Sequence, residues 1–228
     1  MKYKLVIFDL DGTLLDTLDD LSAAVNYAMQ QRGFPQHTRD EYMKMVGHGA
    51  RNLMRQALPD GPKDDEAVET AYNDFRAYYT DHIDVHTKPF PGMQELLATL
   101  HQQGMLLAVA SNKFQEGTEH LIKEFFPDIP FVAILGNRPN FPLKPSPEIV
   151  GEVLRKAGIK REETVMIGDS ETDIETAANG GIDAIAVSWG YRDMRDLADK
   201  LSALRQAQGP LRFTLVDSAD ELQKILLP

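Results

Sequence analysis

From Lys88 onward the chain repeats one pattern: a short apolar run, a turn, a single helical stretch, then another apolar run. The runs are "MLLAVASN" at 105–112, "FVAIL" at 131–135, "TVMI" at 164–167 and "DAIAV" at 183–187. Helical stretches fill the gaps at 93–103, closed by Gly104, at 116–126, at 147–157, closed by Gly158, and at 172–179. Ser218 with Glu221 forms a capping box before a last helix carrying Leu222, Ile225 and Leu226. Uniformly apolar strands separated by single helices predict a mostly parallel sheet covered on both faces. An earlier run, Leu5–Phe8, has the same character and belongs to the same sheet.

Between that first strand and Lys88 the periodicity is helical throughout. Leu18, Leu21, Val25 and Met29 share one helical face, ended by Gly33. Thr38 and Glu41 form a capping box before Tyr42, Met45 and Val46, and Gly47-His48-Gly49 then interrupts the pattern before Leu53, Met54 and Leu58. Val68, Tyr72, Phe75, Tyr79 and Ile83 mark a long amphipathic helix. The expected organisation is an α/β core made of residues 1–14 and 88–228, with residues 15–87 inserted as an all-helical unit.

Composition excludes several classes. Of 228 residues, 43% are hydrophobic and 26% charged, the balance of a folding globular chain. A formal charge of -11 argues against nucleic acid or an anionic membrane as the main partner, since both need a basic face. Cysteine is absent, so disulfides, thiolate metal sites and cysteine nucleophiles are excluded. Met1–Lys4 lead into the first strand without a basic and apolar leader, and no run of eighteen apolar residues occurs; the expected location is the cytoplasm.

The polar residues gather where strands end. Leu5–Phe8 runs into Asp9, Leu10, Asp11, Gly12 and Thr13; "VMIGDSETD" places Asp169 one glycine after its strand; "LAVASNK" ends on Ser111, Asn112 and Lys113. Ligands of an open parallel sheet bind outside these carboxyl ends. Asp9, Asp11, Asp169 and Asp173 would share that edge with Lys144 as the obvious counterion. Two carboxylates about 4 Å apart repel by roughly 4 kcal/mol at an effective dielectric of 20, so the cluster needs a cation. Oxygen donors without histidine or cysteine select a hard divalent ion, and magnesium fits best.

Magnesium points to phosphate. A strand-end carboxylate can attack phosphorus to give an aspartyl phosphate, provided that cationic and N–H groups hold the phosphoryl oxygens and a proton reaches the leaving oxygen. Asp9 is the candidate nucleophile. Asp11 is the candidate acid for the leaving group and base for the attacking water. Ser111, Asn112, nearby backbone N–H groups and Lys144 would hold the phosphoryl group. Asp169 would bind the metal, supported by Thr13, and Asp173 would support the metal site or orient Lys144. Each piece also has a plainer reading: Asp11-Gly12-Thr13 as a turn, Ser170 with Asp173 as a helix cap, Ser146-Pro147 as a helix start, Lys113 as solvated or a secondary anion contact. His48 and Arg51 suit either contact with the leaving group or solvent.

The ordered set "DLDGT", "VASN", the lysine of "KPSP" and "GDSETD" resembles the four motifs of the haloacid-dehalogenase-like superfamily over nearly the whole chain. The resemblance implies a Rossmann-like core. It also implies a metal held by the Asp9 side chain, the Asp11 backbone carbonyl and Asp169, and a mobile cap made of the helical insert. "FDLDGTLLDT", "VGHGARNLM" and "DIETAANGGIDAIAVSWGY" are most similar to the branch that hydrolyses phosphoglycolate. The segment between Trp189 and Phe213 is longer than in that branch, and "GNRPNFPLKP" carries Arg138 and extra prolines; both bear on the pocket mouth or the assembly. The expected function is a magnesium-dependent phosphatase acting on a small phosphomonoester. A phosphosugar mutase of the same fold, or a phospho-acceptor of the response-regulator type, is the alternative.

Overall fold

The structure is a computed structural model that describes residues 2–61, 63–194 and 213–227. Six parallel strands form the main sheet in the order β5-β4-β1-β6-β7-β8, with β1 Leu5–Phe8, β4 Leu106–Phe114, β5 Phe131–Asn137, β6 Thr164–Gly168, β7 Asp183–Val187 and β8 Phe213–Val216. The expected parallel sheet is therefore present, with one strand more than the apolar runs announce. β8 is an edge strand in which Thr214 is exposed and Val216 buried. Its short run has none of the uniform apolarity of the inner strands, which leaves it without a clear strand signal in the sequence.

Side chains alternate across the sheet as a period of two requires. Val6, Phe8, Val109, Val165, Ile167, Ile185 and Val187 face one apolar core; Leu5, Ile7, Ala108, Ala110, Met166, Ala184 and Ala186 face the other. On the second side lie α7 (Glu148–Ala157) and α8 (Glu171–Gly180), through Val150, Val153, Ile174 and Ala177. On the first lie α5 (Met93–Gln102), α6 (Gln115–Phe125) and α9 (Ala219–Leu226), through Leu97, Leu121 and Leu222. Among the described residues no helix is long and apolar enough to cross a membrane.

Register levels the strand ends. Phe8 pairs with Val109 on one side and Ile167 on the other, so Asp9, Ala110 and Gly168 follow at one height. The Asp9 N–H continues the ladder to the Ile167 carbonyl at 2.9 Å.

The helical stretch between β1 and β4 contains α1 (Leu18–Gln31), α2 (Arg39–Met45), α3 (Ala50–Ala57) and α4 (Asp65–Asp81). Its way in and its way out lie side by side, because β2 (Leu15–Asp16) pairs antiparallel with β3 (Lys88–Pro89). The apolar faces read from the sequence are buried: Leu18, Val25 and Met29 on α1 and Val68, Phe75 and Tyr79 on α4. This apolar body is continuous with the first sheet-face core through Leu14, Leu15 and Leu18.

Asp20 ties this joint together. It is 2% exposed, and its carboxylate accepts from the N–H groups of His86 and Thr87 and from the Thr87 hydroxyl at 2.8–3.0 Å. Asp20→Ala would remove the acceptor of three donors together, two of them on buried Thr87. We expect that substitution to cost about 3 kcal/mol, measured as a lower urea midpoint with unchanged slope.

Candidate active site

The site begins with backbone. After β1 the chain coils so tightly that the N–H groups of Thr13, Leu14 and Leu15 all reach the Leu10 carbonyl, and Gly12 takes φ +86°. A side chain at Gly12 would collide with the Asp169 carboxylate, one at Gly168 with Asp173, and one at Gly190 with both Asp169 and the Gly12 carbonyl. Three glycines thus make the room in which two acids stand close to the backbone.

Around Asp9 the charges are dense and nearly dry. Lys144, 4% exposed, directs its Nζ at the carboxylates of Asp9 (2.8 Å) and Asp173 (2.6 Å) and at the Ala110 carbonyl (2.9 Å). The other oxygen of Asp173 accepts from the Ser170 N–H (3.1 Å) and hydroxyl (2.6 Å). Asp173 is therefore both the cap of α8 and the orienting partner of Lys144, so the two sequence readings hold together. Asp169 accepts from the Tyr191 N–H at 2.7 Å and, more weakly, from the Thr13 hydroxyl at 3.4 Å.

Carboxylate oxygens of Asp9, Asp169 and Asp173 lie within 4.8 Å of one another. One lysine cannot balance three acids. Burial first, then the Asp173 charge, pushes the Asp9 carboxyl well above its ordinary range, against the pull of Lys144. Burial and Asp173 likewise raise Asp169 to about 7, opposed by the Tyr191 N–H. Burial alone would lower Lys144, but Asp173 and Asp9 outweigh it and hold the ammonium above its usual value. Such a donor set, all oxygen and short of positive charge, fits a hard divalent cation.

Asp11 lines the same space with different partners. Its Oδ1 accepts from the Thr17 hydroxyl (2.6 Å) and from Lys113 Nζ (3.0 Å). Lys113 is buried, with its side chain 3% exposed, and also donates to the Tyr79 hydroxyl at 2.7 Å. The reading of Lys113 as solvated is corrected: a buried ammonium needs a carboxylate, and this one has Asp11. Ser111, 2% exposed, accepts from the Lys113 N–H at 3.1 Å, which leaves its own proton to donate.

Asn112 lines the same space, with its side chain turned to the neighbouring loops. Its amide donates to the carbonyls of Lys144 (3.1 Å) and Gly47 (3.0 Å) and its oxygen accepts from the Lys144 N–H (2.8 Å), so the side chain is spent on locating the lysine loop.

These groups line a cavity of about 50 Å³, roofed by apolar side chains of the helical insertion, among them Leu21, Val46, Leu53 and Phe75. His48 and Arg51 stand outside it, on a neighbouring groove of about 800 Å³. Exposed His48 meets the Thr172 hydroxyl at 3.3 Å; Arg51 is paired with Glu69 and lies over the Tyr72 ring at 4.2 Å. Arg138 is paired with Glu152 on the same groove; most of the long segment after Trp189 lies outside the described residues.

Trp189, Gly190, Tyr191 and Arg192 belong to the site although sequence patterning alone does not single them out. Trp189 Nε1 donates to the Thr13 carbonyl (3.1 Å), the Tyr191 hydroxyl accepts from the Thr17 N–H (2.7 Å), and Arg192 donates to the Met43 and Val46 carbonyls (2.5 Å each). A signal for them exists: "SWGYR" follows β7, a further strand end at the same edge.

Comparison with known proteins relates the chain to others of similar sequence and fold. A family model described as haloacid dehalogenase-like hydrolase matches residues 6–187. A phosphoglycolate phosphatase from Mesorhizobium japonicum is 33% identical over 198 residues, 85% of this chain and 86% of that protein. One from Aliivibrio fischeri is 33% identical over 201 residues, covering 86% and 88%. A solved structure from Lactobacillus delbrueckii subsp. bulgaricus superimposes with a TM-score of 0.86 at 35% identity, over 100% of this chain and 99% of that one.

Two outcomes follow from the crowding of the acids. Gly190→Ala displaces Asp169, so the variant should keep its circular dichroism spectrum while losing most of the rise in melting temperature that a divalent salt gives the native protein. A carboxyl raised to about 7 stabilises the fold below the ordinary carboxylate range and loses that contribution as pH climbs through 7. Metal must displace those protons, so the divalent-induced rise should be larger at pH 8 than at pH 5.5, read by differential scanning fluorimetry.

Proposed function

Because this chain belongs to the haloacid dehalogenase-like hydrolases, we propose that it is a magnesium-dependent phosphatase that hydrolyses a small, phosphoglycolate-like phosphomonoester through an aspartyl phosphate. The observation that carries this reading is Asp9: a strand-end carboxylate, 8% exposed, paired with a buried lysine beside two further acids in one small cavity. The relatives named as phosphoglycolate phosphatases support the substrate class. The cysteine-free composition supports the cytoplasm as its setting.

In the first step Asp9 attacks phosphorus with one carboxylate oxygen; the bond to the ester oxygen breaks, and that oxygen leaves with a proton from Asp11. In the second, water attacks the phosphorus of the aspartyl phosphate and gives its proton to Asp11. Phosphate departs and Asp9 is restored. Lys144 and the Ser111 hydroxyl hold phosphoryl oxygens, the lysine being kept in place by Asp173, Ala110 and Asn112. Magnesium would be held by Asp9, Asp169 and the Asp11 backbone carbonyl, where it supplies positive charge to the phosphoryl oxygens.

Residues 15–87 act as a cap in this reading. The apolar roof keeps water from the transferred group, and the adjacent strands β2 and β3 make a narrow joint at which the helical unit can open.

Phosphate release from phosphoglycolate, with magnesium and with chelator, tests the proposal. We expect turnover with magnesium only, and a loss of about a thousandfold or more in Asp9→Asn. Stoichiometric phosphorylation without turnover would favour a phospho-acceptor, and transfer to a sugar hydroxyl would favour a mutase.

A further inference from the structure

Lys113 is a fully buried ammonium that the steps above do not use. We propose that Lys113 and Tyr79 are a positioning pair for Asp11, so that protonation of the leaving oxygen depends on the helical insertion being seated on the core. The proposal rests on the phosphatase reading and adds to it two residues and a dependence between two parts of the fold.

The geometry is specific to one oxygen. Both donors on the Asp11 carboxylate, Thr17 and Lys113, fall on Oδ1, leaving Oδ2 without a donor among the described residues. A carboxyl held by one oxygen presents the other in a fixed direction, which is what a general acid needs, since proton transfer is steep in distance and angle. Thr17 supplies a short contact from the same loop, and Lys113 supplies a second from the end of β4, so the carboxylate is held from two elements rather than one.

Lys113 is itself held. Its Nζ donates to the Tyr79 hydroxyl at 2.7 Å and lies 4.7 Å from the centre of that ring. Tyr79 belongs to α4 of the insertion and is fully buried, stacked on Phe75 at 5.1 Å and edge-on to Phe114 of β4 at 6.1 Å. The ring is therefore fixed by packing on both sides, and its hydroxyl is the second partner Lys113 has besides Asp11. When the insertion lifts, Tyr79 leaves with α4, water reaches the ammonium, and the hold on Oδ1 loosens. Acid catalysis is then assembled only when the cavity is covered.

A leaving-group series separates this role from a direct or merely structural one. Ethyl phosphate needs a proton on its alkoxide, whereas acetyl phosphate, of similar size, releases acetate without one. kcat/KM for both covers the steps up to departure of the leaving group. In Tyr79→Phe, which keeps the ring packing, and in Lys113→Met, we expect the ratio of ethyl to acetyl phosphate turnover to fall at least tenfold relative to the native protein. Lys113→Arg should restore part of it. An equal loss on both esters would overturn the proposal in favour of an anion contact or a packing role, and so would no loss on either. A native protein inert on both esters would remove the phosphatase reading itself, a result distinct from a native enzyme whose variants keep the native ratio.

Discussion

Everything at the carboxyl edge of the sheet depends on one ammonium. Lys144 stands among Asp9, Asp173 and the Ala110 carbonyl, almost sealed from water. Without it three carboxylates in one low-dielectric space would take up protons. With it the balance is still short of positive charge, as the raised Asp9 and Asp169 show. That shortage is useful. It suits the proposed function, in which a cation and a dianionic group would arrive together at a site that is not already neutral.

Holding Lys144 takes a large share of the surrounding chain. Asp173 orients it, and Asp173 is in turn held by the Ser170 cap of α8. Asn112 grips the Lys144 backbone from both sides. The same Asn112 reaches the Gly47 carbonyl, and Arg192 reaches the carbonyls of Met43 and Val46, so the insertion is tied to the core at the residues that end α2. The parts that fix Lys144 and the parts that seat the roof are thus shared.

Most of the core and its reactive edge is legible in the order of the amino acids. Parallel strands announce themselves by unbroken apolarity, and their ends are then known, so counting along the chain places Asp9, Ser111 and Asp169 at one edge. What escapes such counting is whatever depends on tertiary closeness. Phe213–Val216 joins the sheet only because β7 is there to pair with it. The bonds of the Asn112 side-chain amide to the Lys144 and Gly47 carbonyls are set by loops that no local spacing announces. Lys113 reads as one more surface lysine until α4 brings Tyr79 against it. His48 and Arg51, for which the glycine-rich break leaves leaving-group contact and solvent equally open, line the outer groove. Gly190 is the clearest case: a glycine after a strand is ordinary, and only the Asp169 side chain pressed against it shows why no larger residue fits.

The position of the insertion has a physical reason. A roof for the transferred group could be attached at any strand end, but here the chain departs from the loop that carries Asp11 and returns beside it at β3. Any movement of the helical unit would therefore pivot within a few residues of Asp11, at Leu15 and Asp16. Asp20 fastens the returning strand, and Thr17, one turn earlier, fastens Asp11. A cap joined elsewhere could cover the cavity equally well, yet it would have no short path to the acid. Joined here, under the proposed mechanism, covering the substrate and aligning the proton donor would be one motion of one joint.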